Sequence, residues 1–293
     1  MISYNPKDWF SFLFRFHKAD TVRKLLPLII GICIYSGIIA FFEIEYWHLP
    51  QNSYVKNIPL MHGLLGFVIS MLLVFRTNTA YDRWWEGRKL WGSLLNNSRN
   101  LAIKMAAMLP ASESAERNFF RKIIPAYAYA LKNHLGHEST RVELFETGED
   151  LKKLIHADKH IPNQVALLMI KRVTQLYNEG KIKGDQLIVL NAELQSFTDI
   201  CGACERIKNT PIPFSYSVFL KKFIFFYIMT LPFGYVFSLG YYTIPVVAFI
   251  FYVLASLELI AEEIEDPFGG DENDLPIDKI ARNIHKQVDE ILL

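Results

Sequence analysis

One apolar run constrains the fold of this chain more than any other feature of its sequence. Residues 58–75 are apolar apart from His62 and Ser70. At a rise of about 1.5 Å per residue, a helix of this length approaches the thickness of the hydrocarbon core of a bilayer. A charged and aromatic helical pattern follows directly, with no proline or clear loop in between. The run therefore predicts one continuous helix that leaves a membrane and extends into water.

The side chains of this helix divide between two faces. Large apolar residues that recur at steps of three or four share one face of a helix, and here they are Leu60, Leu64, Phe67, Met71 and Phe75. Small residues, which allow neighbouring helices to approach closely, follow another face at Gly63, Gly66 and Ser70. The division indicates a helix that packs around a central axis. A hydrophobic seam inside an ordinary four-helix bundle is the alternative interpretation.

Three further apolar segments are long enough to span a membrane, at residues 25–42, 216–236 and 244–260. Basic residues are concentrated at 15–24, 76–104 and 206–222. The two predicted external loops, at residues 48–57 and 238–243, carry only Lys56. Because lysine and arginine favour the cytosolic side of a membrane, the pattern predicts four spans with both termini in the cytosol.

These patterns predict an all-α integral membrane protein, since no alternation typical of a strand occurs. The predicted parts, in chain order, are an interfacial amphipathic helix at 1–20, transmembrane helices 1 and 2 at 21–95, a cytosolic helical domain at 96–212, transmembrane helices 3 and 4 at 213–266, and a cytosolic segment at 267–293. The net charge of +1 gives no reason to expect a nucleic-acid partner.

An unusual contiguous motif follows the apolar run at residues 75–92, Phe-Arg-Thr-Asn-Thr-Ala-Tyr-Asp-Arg-Trp-Trp-Glu-Gly-Arg-Lys-Leu-Trp-Gly. It resembles the signature of the bestrophin family, in its bacterial branch. Segments 204–214 and 262–276 resemble the same family, so the resemblance extends over essentially the whole chain. The residues that carry the family motif are Arg76, Asn78, Arg83, Trp91, Glu205, Arg206, Pro267, Phe268 and Gly269.

The resemblance implies a homopentamer in a bacterial inner membrane, with the second helix of each subunit lining one axial pore. It places Phe67, Met71 and Phe75 in an apolar neck, which can gate ions by dewetting. The implied activity is passive conduction of small monovalent ions, and no enzyme motif is present. A membrane scaffold or receptor without an ion path is the alternative function.

Acidic residues near the implied ion path favour cations over chloride, because charge repeated around a fivefold axis is focused. Asp82 is interpreted either as a ring in the cytosolic vestibule or as a surface ion pair. Asp185 resembles the cytosolic exit constriction of bacterial relatives, a position that is normally apolar. Glu43 and Glu45 add to the cation preference at the far end of the first span.

A further acidic segment resembles the calcium-binding segment of animal bestrophins. Its carboxylates are Glu262, Glu265, Asp266, Asp271, Glu272 and Asp274. Oxygen ligands at alternating loop positions suit calcium, while a solvated acidic turn is the alternative interpretation. No other cofactor is predicted.

The cysteines and histidines predict no metal or redox centre. Cys201 and Cys204 form a CxxC without a second CxxC or a preceding strand. His134 with His137, and His156 with His160, have the spacing of metal ligands on a helix, but neither pair is accompanied by a positioned carboxylate base.

Overall fold

The computed structural model describes residues 21–47, 57–136, 155–156 and 158–293. The interfacial helix predicted at 1–20, most of the first predicted external loop and His137 lie outside these residues. Within the described residues the chain is helical and contains no strand, so the all-α prediction is confirmed.

The helices, in chain order, are α1 (Thr21–Phe41), α2 (Ile58–Met108), α3 (Ser114–Leu135), α4 (Ile161–Asn178), α5 (Gly184–Asn209), α6 (Phe214–Leu239), α7 (Thr243–Glu265) and α8 (Ile277–Leu292). A π-helical turn at Phe42–Trp47 extends α1.

Three helical stretches of the described chain are long and apolar enough to cross a membrane: Thr21–Trp47, Ile58–Met108 and Phe214–Glu265. The third stretch consists of α6 and α7, which are joined by a 3-10 turn at Gly240–Tyr242. Gly240 adopts a positive φ of 52°, a conformation that glycine takes without a steric penalty. Because α6 and α7 pack against each other, the chain reverses at this turn, and the four transmembrane helices predicted from sequence are accounted for.

The described residues form two compact units. The membrane unit contains the described residues up to Arg83 together with Pro211–Glu265, and the helical unit contains Trp84–Thr210 and Asp266–Leu293. The long helix α2 contributes to both units, with the division at Trp84, whereas the domain boundary predicted from sequence falls after residue 95. The helical unit begins earlier because Trp84 donates a hydrogen bond to the carbonyl of Asn273 at 3.1 Å and Trp91 is fully buried in its core.

In the membrane unit, α2 packs one face against α6 and α7. Ile69 and Leu73 are buried in a cluster with Leu220, Ile224, Ile228, Leu231, Val247 and Leu254. Gly234 of α6 lies so close to the start of α2 that a Cβ at this position would be 2.7 Å from Cδ of Pro59. This close approach explains the glycine, since any side chain would displace the first turn of α2.

The helical unit has a large hydrophobic core to which α2, α3, α4, α5 and α8 contribute. Tyr127 of α3 donates a hydrogen bond to the carbonyl of Phe197 at 2.6 Å, and their rings pack edge to face. The α8 helix buries Ile280, Ile284 and Val288, which recur at four-residue steps, against α3. These contacts position the loop that precedes α8 and the polar ends of α3 and α5.

Candidate functional site

An apolar stripe on α2 is left uncovered by the rest of the chain. Phe67, Met71 and Phe75 are 73%, 49% and 53% exposed, whereas Ile69 and Leu73 are fully buried. At about 100° per residue, the three exposed side chains share one face, and the buried ones point to the opposite side. Phe67, Met71 and Phe75 are therefore available to a bilayer or to further copies of the chain, and they are called the apolar stripe below.

The apolar stripe continues into polar residues along the same helix. Asn78 and Asp82 follow Phe75 at steps of three and four residues, so they lie on the same face, and both are exposed. The helix thus presents one surface that is apolar over three turns and acidic at its end.

Arg76 faces the opposite way and is almost completely buried, with 2% of its surface exposed. Its Nη2 lies 2.7 Å from Oε2 of Glu265, and its Nε lies 3.5 Å from Oε2 of Glu258. The first contact is a charge-assisted hydrogen bond, and the second is a longer ion pair. Arg76 therefore neutralises acidic groups of α7 inside the membrane unit and ties α2 to α7.

Glu265 connects several parts of the membrane unit. Its carboxylate also accepts a hydrogen bond from the backbone N–H of Ile212 at 2.7 Å, and its backbone carbonyl accepts one from Nε of Arg83 at 2.9 Å. Of its acidic neighbours, Glu262 forms an exposed ion pair with Lys221 at 3.0 Å. Two carboxylates from the predicted calcium segment are thus bound to protein groups.

Asp274 organises the loop between α7 and α8. Its Oδ2 accepts hydrogen bonds from the backbone N–H groups of Gly270 and Asp271 at 2.5 Å. Its Oδ1 is buried and has no hydrogen-bond partner among the described residues. Burial raises the pKa of Asp274 to about 6, although the two backbone hydrogen bonds oppose the shift.

The remaining residues of the predicted calcium segment do not form a ligand cluster. Asp271 is exposed, while Asp266 and Glu272 are half-buried. Among the described residues, three or more carboxylates of this segment do not come within 4.8 Å of one another. The segment's Phe268 instead packs against Gly87, where a Cβ would lie 3.2 Å from the Phe268 ring, and a Cβ on Gly269 would meet Oδ2 of Asp274 at 3.1 Å.

Other predicted motif residues have structural contacts. Pro267 and Trp91 are buried in the helical unit, and Arg206 forms an ion pair with Glu86 at 2.8 Å. Cys201 and Cys204 lie inside α5 and are free and buried. Burial, reinforced by the charge of Glu205, raises the pKa of each thiol to about 12. Redox chemistry is disfavoured there, because thiolates are the reactive form.

Glu205 has a role that the sequence did not indicate. Its Oε1 accepts hydrogen bonds from Nε2 of His134 and Nε2 of His160, both at 2.6 Å. Burial would raise the pKa of Glu205, but the two histidine hydrogen bonds outweigh burial and hold the pKa below its ordinary value. His156, which the sequence paired with His160, is exposed instead. Spacing along one helix could not reveal this cluster, because its members come from three separate segments.

Comparison with known proteins identifies the chain. A family model described as bacterial/fungal bestrophin protein matches residues 1–290. The chain belongs to the bestrophin family. This membership confirms the resemblance seen in the 75–92 motif, and it places the chain in a family of channels rather than enzymes.

The relatives of this bestrophin are similar over nearly their whole length. The voltage-dependent anion channel-forming protein alr2987 of Nostoc sp. is 33% identical, with 97% of this chain and 92% of the relative covered. The voltage-dependent anion channel-forming protein YneE of Escherichia coli K12 is 32% identical, with 97% and 91% covered. A crystal structure of a bacterial bestrophin homologue from Klebsiella pneumoniae matches with a TM-score of 0.82 and 30% identity over 90% of this chain and 97% of that chain.

The predicted exit residue of this bestrophin, Asp185, is exposed in the first turn of α5. One turn later Ile188 is 75% exposed, although it is apolar. The exposure of Ile188 could not be predicted from the sequence, because a single apolar residue in a helix gives no indication of whether it is covered.

Proposed function

We propose that this bestrophin assembles as a homopentamer that passively conducts small monovalent ions across the bacterial inner membrane, with both termini in the cytosol. The observation that carries the proposal is the apolar stripe, whose three side chains are exposed while the opposite face of α2 is packed. Five copies of α2 around one axis would turn the stripe into three apolar rings. Membership of the bestrophin family, and relatives that are named as channel-forming proteins, support the proposed channel function.

The three rings would form the gate. Apolar side chains cannot replace the hydration shell of an ion, so the barrier in a narrow apolar neck depends steeply on its radius. Met71 would form the middle ring, and its flexible thioether side chain would allow this ring to change width. Asn78 and Asp82 would follow the neck with polar groups that hydrate an emerging ion.

Anion conduction is the first candidate for selectivity. The relatives are named as anion channels, which weighs against the cation preference predicted from the acidic residues. The structure also removes one reason for that preference, since Glu43 is 5% exposed and does not present its charge to an open path within the described chain.

Cation conduction is the second candidate, because Asp82 is exposed on the same face as the apolar stripe. A fivefold ring of carboxylates next to the neck would raise the local concentration of cations. A second acidic ring at Asp185 would act in the same direction if Asp185 rather than Ile188 faces the path.

The decisive experiment combines the oligomeric mass in detergent with single-channel recording in planar bilayers. We expect a pentamer that conducts, and we expect Phe67→Ala and Met71→Ala to increase the single-channel conductance because each widens one ring. Ile34→Ala is the matched control, since Ile34 is 60% exposed on α1 and lies outside the stripe. A conductance that is equal in all four proteins would remove the stripe from the pore.

The same recordings separate the channel from its alternative. A pentamer that carries no current in bilayers or in liposome flux assays, in the wild type and in both widened variants, would favour a scaffold or receptor. A monomer would contradict the proposal at its first step.

A further inference from the structure

Three side chains of the helical unit converge on one point, although they come from distant parts of the sequence. His134 lies in the last turn of α3, His160 caps the N-terminus of α4, and Glu205 lies in α5. Their ligand atoms all lie within 4.8 Å of one another. The two imidazole rings lie 4.3 Å apart between centroids. The three residues are called the His-His-Glu cluster below.

The donor set of the His-His-Glu cluster suits a borderline transition metal. Two imidazole nitrogens and one carboxylate oxygen are a common ligand set of zinc sites that keep a fourth position open. Magnesium and calcium prefer oxygen ligands, so two nitrogen donors select against them. The side chains are 33%, 31% and 31% exposed, so a water molecule or a small ligand can reach the fourth position.

The geometry requires little adjustment to hold such an ion. Both Nε2 atoms lie 2.6 Å from the same oxygen, Oε1 of Glu205. Around a tetrahedral zinc, ligand atoms about 2.0–2.1 Å from the metal are separated by roughly 3.3 Å. Each Nε2 would therefore have to move away from Oε1 of Glu205 by less than about 1 Å, which side-chain rotations can provide.

The protein already holds the ligands in place. Lys208 donates hydrogen bonds to the carbonyls of His134 and Gly136, at 3.1 and 3.4 Å, and fixes the end of α3. Nδ1 of His160 accepts a hydrogen bond from the backbone N–H of Asn163 at 3.2 Å. A metal on Nε2 would move the ring proton to Nδ1, so this cap would be lost when the ion binds, and the metal would have to offset the loss of one N-cap hydrogen bond. The contacts of Lys208 do not depend on the tautomer and continue to fix the end of α3.

We propose that the His-His-Glu cluster of His134, His160 and Glu205 binds one zinc ion, or another borderline divalent metal, in each subunit. The ion would join α3, α4 and α5 and stabilise the helical unit. The proposal is independent of ion conduction, since all three ligands belong to the helical unit.

The test uses full-length protein without an affinity tag, because a polyhistidine tag binds the same metals. After chelation and desalting, zinc chloride is titrated while bound zinc and the melting temperature are measured. We expect one zinc per subunit and a higher melting temperature. We expect Glu205→Gln and His134→Gln to weaken the affinity by about 100-fold or more, because loss of supporting contacts alone costs 10–100-fold.

His285→Gln provides the matched control. His285 lies 3.8 Å from Asp289 on α8 and so has a carboxylate partner, but it lies outside the His-His-Glu cluster. We expect this variant to bind zinc like the wild type. If Glu205→Gln and His134→Gln bind zinc as tightly as His285→Gln and the wild type, the proposal is overturned.

A second measurement does not depend on how the variants fold. Cobalt chloride added to the metal-free wild type should produce the intense visible absorption of tetrahedral Co²⁺, and zinc chloride should displace it. Absence of bound zinc and of the cobalt bands in the folded wild type would show a hydrogen-bonded cluster only and would overturn the proposal.

Discussion

Two regions of the molecule hold an acidic side chain largely away from solvent in different ways: Glu265 is 15% exposed and Asp274 is buried. At the end of α7, Glu265 binds the guanidinium of Arg76 and the backbone of Ile212. In the loop before α8, Asp274 binds two backbone N–H groups, and its Oδ1 has no hydrogen-bond partner within the described residues. The first carboxylate is matched by a full positive charge, whereas the second is matched only by dipoles.

The difference has consequences for stability and for pH. A buried ion pair depends on both partners, because removal of one leaves the other charged in a place without water. A buried carboxyl without a cation can take up a proton instead, so the free-energy cost of burying it depends on pH. The first region should therefore be sensitive to mutation and the second to pH.

The largest effect is expected from Arg76→Ala. The variant leaves Glu258 and Glu265 without their cation inside the membrane unit, and breaking such a buried pair costs roughly 3–5 kcal/mol. The melting temperature in detergent should fall steeply. Arg88→Ala is the matched control, because Arg88 is exposed on the same helix and surface substitutions usually change stability by less than about 0.5 kcal/mol. Equal losses in both variants would contradict the ion-pair account.

A smaller effect is expected from the titration of Asp274. The folded protein retains the proton up to about pH 6, whereas an aspartic acid in an unfolded chain loses it near pH 3.9. Between these values the folded state binds more protons, so the free energy of unfolding falls as the pH rises and stays lower above pH 6. The largest loss of unfolding free energy from this titration is about 1.4 kcal/mol for each unit by which the folded and unfolded pKa values differ.

The comparison of Asp274→Asn with the wild type isolates this titration. Asparagine keeps an oxygen that can accept the two backbone hydrogen bonds but cannot ionise. The melting temperature of the wild type relative to the variant should therefore decrease between pH 4 and pH 6.5. If the difference in melting temperature between the wild type and Asp274→Asn stays constant from pH 4 to pH 6.5, Asp274 does not titrate in this range.

The sequence predicted the helical fold and the grouping of large apolar residues on one face of α2, because both depend on periodicity. Apolar residues at steps of three and four identify a face, and in the structure Phe67, Met71 and Phe75 lie together on an exposed one. Periodicity does not show where a helix changes from one unit to the other. The division at Trp84 therefore differed from the predicted boundary, since α2 continues through it without a break.

The polar sites could be predicted only in part, because their partners are distant in sequence. The sequence assigned Arg76 to the family motif and Glu265 to the predicted calcium segment, but it did not indicate that the two are partners. Likewise, spacing paired His134 with His137, whereas the structure pairs it with His160 and Glu205. Contacts across such separations depend on the packing of whole helices, about which local patterns carry no information.

Asp82 extends the comparison to an acidic group that remains in solvent. Asp82→Asn should change the free energy of unfolding by less than about 0.5 kcal/mol, as expected for a surface position, so the melting temperature should stay close to that of the wild type. If Asp82 borders the ion path, the reversal potential in a salt gradient should shift toward that of an anion-selective channel. Glu193→Gln, on α5 of the helical unit, is the charge-matched control. An identical reversal potential in all three proteins would remove Asp82 from the path.

The smallest effect is expected from calcium. Glu265 and Glu262 are bound to Arg76 and Lys221, and the carboxylates of the segment do not converge within the described residues. Calcium requires six to eight oxygen ligands, so a titration should leave the melting temperature and the current unchanged. Calcium binding at the buried Oδ1 of Asp274 would contradict this expectation, because the ion would supply the partner that this oxygen lacks among the described residues. In that event calcium would raise the melting temperature of the wild type but not of Asp274→Asn, and the two regions would then both neutralise their buried acid with a cation.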